Sequence, residues 1–408
     1  MSYTLILATA PLRRDSHPMP KPRVLVLTST FPARTGDGTP AFVADLALGL
    51  GVDHDVRILA PAVPGGAPRE RLSESVDVVR YRFFPRRWED LADGAILENV
   101  RSRRSRLMQV PFFLLGQAIA VRREVRRFRP DVVHAHWIIP QGVVARAVGG
   151  RIPMIVTTLG GDLYALGAKP LRAAKSWVLR NARAVTVMNQ DMRDKAIELG
   201  STPGTTHVMP MGAHLRDDLG EVETVSGSGT LRVLAVGRLV EKKGFDVLLR
   251  ALRTSSLAYE LVIVGDGPEM ESLRRAADGL PVTFAGQLGR DALMERYSAA
   301  DVVAFPSRRA ASGDQDGLPV ALLEAMGSGR AVVVTDLPGL NEAVEDELSG
   351  LVVPAEDTNA LADALTRMDR DPDLRRRLGD AARERAHEYS IPATVEKYRA
   401  LLSTVLGR

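Results

Sequence analysis

Short, nearly continuous apolar runs recur along the chain, separated by stretches in which apolar residues return every three or four positions. The first run, Arg23-Val24-Leu25-Val26-Leu27-Thr28, predicts a strand buried on both faces, as in a parallel sheet. A loop of turn formers, residues 29–40, leads to an amphipathic helix predicted over Ala41–Leu50. Further strands are predicted at Val56–Ala60, Val76–Tyr81, Asp131–Trp137, Met154–Thr158 and Ala184–Met188, with Pro61–Pro68 as a loop. A helix then runs to Gly200, and His207–Gly212 reads as a short strand and turn. After the small-residue stretch Leu219–Thr230 the alternation restarts, with strands at Leu231–Val236, Glu260–Val264, Val282–Phe284, Val302–Phe305 and Ala331–Val334. Strands alternating with helices on both sides of such a linker predict an α/β chain of two Rossmann-like, doubly wound domains. The boundaries expected are an unstructured extension over residues 1–20 (Met19 is a second candidate start), domains at 21–218 and 231–388, a linker at 219–230 and a final helix at 389–408.

At 408 residues, 45% hydrophobic and 25% charged, the chain has the make-up of a globular protein with room for two cores. It contains no cysteine, which removes disulfides, thiol nucleophiles and cysteine metal sites and fits a reducing cytoplasm. Apolar runs fall short of a membrane span, and the apolar start Thr4–Ala10 lacks the basic flank of a signal peptide. The net charge of +4 hides an asymmetry: residues 1–219 carry 31 Lys+Arg against 20 Asp+Glu, or +11, and the remainder 23 against 30, or −7. Much of the excess lies in Arg101–Arg129, where arginines flank the apolar middle Phe112-Phe113-Leu114-Leu115. That pattern suits a helix pair on an anionic bilayer, or a core-facing helix with a solvated basic face. Nucleic acid is disfavoured, because aromatic platforms are not interleaved with the arginines.

The candidate chemistry gathers around Gly313-Asp314-Gln315-Asp316-Gly317-Leu318-Pro319-Val320-Ala321-Leu322-Leu323-Glu324-Ala325-Met326-Gly327. Pro319 suits the first turn of a helix, so Asp316 precedes that helix and Glu324 lies more than one turn inside it. A helix start favours anions, and carboxylates hold hydroxyl groups; a nucleotide diphosphate sugar presents both. Arg238 and Lys243, in Gly237-Arg238-Leu239-Val240-Glu241-Lys242-Lys243-Gly244, follow a buried strand where α/β sheets bind ligands. They offer a fork and a point charge to phosphate. Gly265-Asp266-Gly267-Pro268 follows another strand but is only a partial dinucleotide fingerprint. In the first half, His134 and His136 alternate along one strand face and could point into a cleft; as a metal pair they lack a third ligand. Gly160-Gly161-Asp162 forms a later strand exit, with Asp162 either orienting an acceptor hydroxyl or serving as a polar cap.

The arginine–lysine loop, the Gly-Asp-Gly-Pro turn and the two carboxylates with seven residues between them occur in that order. Together with Gly38, Val133-His134-Ala135-His136 and Pro210-Met211-Gly212 they resemble the retaining GT-B glycosyltransferases of family 4, in particular bacterial members that build exopolysaccharides and cell-envelope glycans. The resemblance implies two domains facing a central cleft, with the last helix packing back on the first domain. It implies a cytoplasmic hexosyltransferase that uses a UDP- or GDP-sugar, needs no metal or other cofactor, and glycosylates a glycan, lipid-linked sugar or small-molecule hydroxyl. On this reading Arg238 and Lys243 neutralise the leaving diphosphate, Asp316 faces the sugar and Glu324 the ribose. The amides of Val320 and Ala321 assist at the phosphates, with Gly237, Gly317 and Leu318 beside them. Gly38 lets a loop close over the phosphates, and Gly265, Gln287 and Leu288 lie near the base. His134, His136, Gly161 and Asp162 are left for sugar or acceptor contact. Two departures stand out: family members usually have glutamate in place of Asp316, and many have histidine where this chain has Leu159. The alternatives are a nucleotide-sugar epimerase of the same fold and a non-catalytic sugar-nucleotide-binding protein.

Overall fold

The computed structural model describes residues 20–33, 41–94, 96, 99–100, 103–165, 167–215 and 229–408. Residues 1–19 and most of the anticipated linker, 219–228, fall outside them. Strands β1 (Arg23–Leu27), β2 (Asp55–Pro61), β3 (Arg69–Ser73), β4 (Val76–Tyr81), β5 (Val132–His136), β6 (Met154–Thr157), β7 (Ala184–Val187) and β8 (Thr206–Val208) form one sheet. Its order is β3-β4-β2-β1-β5-β6-β7-β8, parallel throughout except for the β3–β4 pair. Strands β9 (Leu231–Val236), β10 (Tyr259–Val264), β11 (Val282–Gly286), β12 (Val302–Phe305), β13 (Ala331–Thr335) and β14 (Leu351–Val353) form a second, all-parallel sheet. Its order is β11-β10-β9-β12-β13-β14. Two doubly wound sheets, with helices joining most consecutive strands but not β2, β3 and β4, give the GT-B architecture.

The central strands match the apolar runs because both faces are covered: Val24, Leu25, Val26 and Leu27 are all buried, as are Val302 to Phe305. Two strands escape that pattern. β3 pairs antiparallel at the sheet edge and holds a single aliphatic residue, Leu72, among Arg69, Glu70, Arg71 and Ser73. β14 is only three residues long. The basic segment also differs from the expected helix pair. Arg104–Met108 is a short 3₁₀ turn and Gln109–Arg127 one continuous helix; Arg101 lies outside the described residues.

The helix Ile391–Leu406 follows the second domain in sequence but packs on the first. Val395, Tyr398 and Leu402 join the core of the first sheet, each such burial being worth about 1.5–3 kcal/mol relative to exposure. The Tyr398 hydroxyl lies 3.0 Å from Thr186 Oγ1 and 3.2 Å from Thr157 Oγ1, and Arg399 donates to the Gly49 carbonyl at 2.9 Å. Where the chain returns, Ala213 N donates to Tyr389 O (2.9 Å) and Ile391 N to Ala213 O (3.1 Å).

Candidate active site

In the second sheet β9 lies between β10 and β12, so the chain winds outward in both directions from that strand pair. Such a switch point leaves a crevice at the carboxyl edge. The β9 exit, Gly237–Gly244, and the β12 exit, Pro306–Pro319, meet there and are pinned by Arg308 N donating to Lys242 O at 2.9 Å. Lys243 Nζ sits 2.7 Å from Asp316 Oδ2, and Lys242 Nζ 3.2 Å from Asp314 and 3.6 Å from Asp316 Oδ1. Ser307 Oγ donates to Asp316 at 3.2 Å. Burial pushes the Asp316 carboxyl up, but the ammonium groups of Lys243 and Lys242 and the two hydrogen bonds outweigh it, and its pKa falls below the ordinary value. Burial likewise lowers Lys242, and Asp316 and Asp314 reverse this, leaving it raised. Asp316 is therefore held ionised and is a weak base.

Arg238 is exposed at the same edge. Gly237 and Gly265 lie against each other: a Cβ on Gly265, whose φ is +136°, would stand 1.9 Å from the Gly237 carbonyl oxygen. Gln287 is exposed just beyond β11, and Leu288 packs on the second domain's core. Gly38 falls outside the described residues.

The helix after this loop is Val320–Gly327. Pro319 is its N-cap, with ψ of 126°, and not part of the first turn as its position suggested; the chain enters extended and turns helical at Val320. Glu324 is the fifth residue of the helix and is half-buried. Burial raises its pKa to about 7, against the opposing pull of Arg290, a Tyr297 hydrogen bond (3.4 Å) and His214. His214 itself pairs with Asp45 of the first domain at 3.0 Å.

The facing wall comes from the first domain. Asn189 caps the helix Gln190–Glu198 by accepting from Met192 N (2.8 Å), and its amide donates to the Gly317 carbonyl at 2.7 Å. Gln190 N donates to Glu342 at 2.9 Å. Gln315 Nε2 reaches Asp191 at 3.4 Å, and Asp191 also accepts from the Tyr164 hydroxyl. Gly160 is so close to this loop that a Cβ would lie 3.3 Å from Gln315 O, and a Cβ on the half-buried Gly161 would lie 3.9 Å from Asp314 Oδ1.

His134 and His136 do share one side of β5, their rings 4.3 Å apart, but both are buried. His134 Nε2 lies 2.7 Å from Thr157 Oγ1, and burial drives the His134 pKa down to about 3 and that of His136 well below its usual value. The Tyr398 ring lies 5.4 Å from that of His134, while both ring nitrogens of His136 are buried without a hydrogen-bond partner among the described residues. Asp162 is also buried, with both oxygens engaged: Ile138 N and Thr158 Oγ1 each donate at 2.6 Å. It ties the exits of β5 and β6 together.

Residues 230–371 match the model described as glycosyl transferases group 1, and residues 37–212 match that of the glycosyl transferase 4-like domain. The chain thus carries a glycosyl transferase 4-like domain followed by a glycosyl transferases group 1 domain. It is 38% identical over 145 residues to an amylovoran biosynthesis glycosyltransferase, AmsK, of Erwinia amylovora, a stretch covering 34% of this chain and 36% of that one. Over 160 residues it is 37% identical to a GDP-mannose-dependent alpha-(1-6)-phosphatidylinositol monomannoside mannosyltransferase of Mycobacterium tuberculosis, covering 37% and 42% respectively. These alignments span about two fifths of the relatives' own length. The solved structure of Anabaena HepE in complex with UDP-glucose superposes with a TM-score of 0.69 at 17% identity, over 94% of this chain and 99% of that one, which is a likeness of fold.

Within this glycosyl transferase fold, the sequence pointed to the positive edge and to both carboxylates. It did not single out Lys242 and Asp314, although both lie inside the quoted motifs, because the charge of neighbouring residues does not say which of them faces the cleft. Asn189 and Glu342 carried only one signal, the helix-capping asparagine.

Proposed function

We propose that the protein is a retaining hexosyltransferase that moves a sugar from a UDP- or GDP-sugar to a hydroxyl acceptor without a required metal. The observation that supports this best is the cluster of Lys242, Lys243, Asp314 and Asp316 at the switch point, beside the start of Val320–Gly327. Departure of a nucleotide diphosphate develops negative charge, and fixed cations and helix-end amides stabilise such charge. Asp316 is paired with lysine and held below the usual carboxylate range, so it suits accepting hydrogen bonds from sugar hydroxyls better than taking a proton. The proton of the attacking hydroxyl then passes to the departing phosphate on the same face, which preserves the anomeric configuration. Closure of the Asn189–Gly317 contact would exclude the water that hydrolyses the donor.

The acceptor class we favour is a glycan or lipid-linked sugar, in keeping with what the similar bacterial enzymes are named for. We further read the protein as cytoplasmic and working at the inner face of an anionic membrane, because residues 103–129 carry eight arginines against the single acid Glu124. An epimerase or a non-catalytic binder lacks any specific support. The test is incubation with UDP- and GDP-hexoses and crude glycan or lipid acceptors, in the presence of a chelator, followed by proton NMR of the product. Inverted product, abolition by chelator, or epimerisation without an acceptor would each refute the corresponding part.

Glu324 adds a pH signature. If it holds the ribose hydroxyls as an acceptor, it must be ionised, and its pKa of about 7 makes nucleotide binding tighten as pH rises through neutrality. Titration calorimetry between about pH 6 and 8 should show this, superimposed on ionisation of the diphosphate. Glu324→Gln should leave only the diphosphate's own slope, and an unchanged profile would remove Glu324 from the ribose.

A further inference from the structure

The helix Gln109–Arg127 buries Phe113, Gln117, Ala120, Val121 and Glu124 against the first sheet. A surface helix ordinarily presents polar residues on its opposite face. This one does not over its first half: Met108 (71% exposed), Phe112 (51%), Leu115 (58%) and Ile119 (61%) stand open to solvent. Spacings of four, three and four residues put them on one stripe. Trp88 (54% exposed) extends the patch. It lies on the 3₁₀ turn Arg86–Trp88 just after Phe84, whose ring meets that of Phe112 at 5.4 Å.

The charge around the patch is mostly positive, the acids that follow Trp88 being largely engaged: Glu89 is buried and paired with Arg82, Asp90 is paired with Arg106, and Asp93 is exposed. Arg86 and Arg87 flank Trp88, Arg87 stacking on its ring at 4.0 Å. Arg103 and Arg104 precede the helix, and Arg122 and Arg126 continue the apolar stripe toward its end; all are exposed. Glu124, the one acid between Arg103 and Arg129, is buried and paired with Arg57 at 3.1 Å. The helix connects β4 to β5, so it starts at the carboxyl edge of the sheet, and the Phe84–Phe112 contact just past β4 fixes that end. The apolar residues therefore stand near the cleft edge, with Arg122 and Arg126 farther away.

We propose that this face inserts into an anionic bilayer, with Met108, Phe112, Leu115, Ile119 and Trp88 entering the interface and the arginines meeting lipid phosphates. The inference rests on the membrane-proximal reading above and deepens it: the contact is a wedge as well as an electrostatic attraction, and it turns the acceptor side of the cleft toward the lipid. Apolar residues bounded by arginine match an interface of acyl chain and anionic headgroup. A protein partner at the same ridge would need acidic complementarity around an apolar centre, and a second copy would bring arginine against arginine.

The test is co-sedimentation of the full chain with vesicles of phosphatidylcholine alone or mixed with phosphatidylglycerol, over a range of salt. Wild type should bind the mixed vesicles, weaken with salt and retain a salt-resistant fraction. Leu115→Asp with Ile119→Glu should lower partitioning about tenfold or more at low salt and abolish the salt-resistant fraction. Arg122→Glu with Arg126→Glu should remove the preference for phosphatidylglycerol. All four positions are exposed, so thermal unfolding checks that the variants fold. No binding by wild type, binding by the apolar double variant equal to wild type, or a wild-type dimer that this variant dissociates without vesicles would overturn the proposal. Hydrolysis of the nucleotide sugar in solution should be the same in every variant. If wild type hydrolyses no donor yet binds vesicles, the transferase reading fails and the docking surface stands.

Discussion

Lys243→Ala should lower sugar transfer about 10²–10³-fold, the usual effect of removing one fixed group that stabilises developing charge. The chain should still fold, because Asp316 keeps Lys242 at 3.6 Å and the Ser307 hydroxyl at 3.2 Å as partners. Loss is expected mainly in kcat, since the diphosphate carries more charge while leaving than while bound. Steady-state kinetics on the favoured donor would show it. A variant that turns over at the wild-type rate would separate Lys243 from the diphosphate and leave it as only the counter-ion of Asp316. The pairing of Lys242 with two carboxylates also predicts a smaller change in the opposite direction: Asp314→Asn frees Lys242 from one of them and should tighten binding of the free nucleotide diphosphate, as read by titration calorimetry.

Gly244→Ala should be among the most damaging single-methyl additions in the site. Gly244 has φ of +64°, and a Cβ there would stand 1.9 Å from the carbonyl oxygen of Pro306, on the backbone of the β12 exit. Neither wall is a flexible side chain. The loops carrying Lys243 and Asp316 would have to part, at a cost of about 3 kcal/mol from strain and lost packing. The second domain should melt lower by about 2–4 °C per kcal/mol, and activity should fall further than stability does because the 2.7 Å Lys243–Asp316 pair opens. A melting temperature equal to wild type would mean that the loops absorb the methyl and that the glycine is there for turn geometry alone.

What could be read from the sequence follows from burial. Strands covered on both faces, such as Val302–Phe305, announce themselves as apolar runs, and from their alternation with helices the two-sheet architecture was legible. β3, facing water at an edge with alternating charges, was not. In the site, the cation-bearing loop at the crevice was legible because it follows a buried strand and is bounded by glycines at 237 and 244. His134 and His136 were legible as a pair, since alternation places them on one face, but a strand cannot say how deeply that face is buried. Here Tyr398, 264 residues after His134 in the chain, lies against the His134 ring. The cross-cleft contacts Asn189–Gly317 and Gln190–Glu342 depend on how two domains meet, which no local pattern records.

The chain crosses between domains twice, and the two crossings touch. Ala213, leaving the first domain, is hydrogen-bonded on both sides to Tyr389 and Ile391, where the chain comes back. Two tethers knotted at one place allow swivelling about that place but resist sliding or separation. Opening of the cleft is thereby confined to a jaw-like rotation with its pivot at Ala213, and the helix Ile391–Leu406 rides with the first jaw although it follows the second domain in sequence. A chain lacking that helix would have a first jaw without part of its core and a hinge with only one of its two tethers.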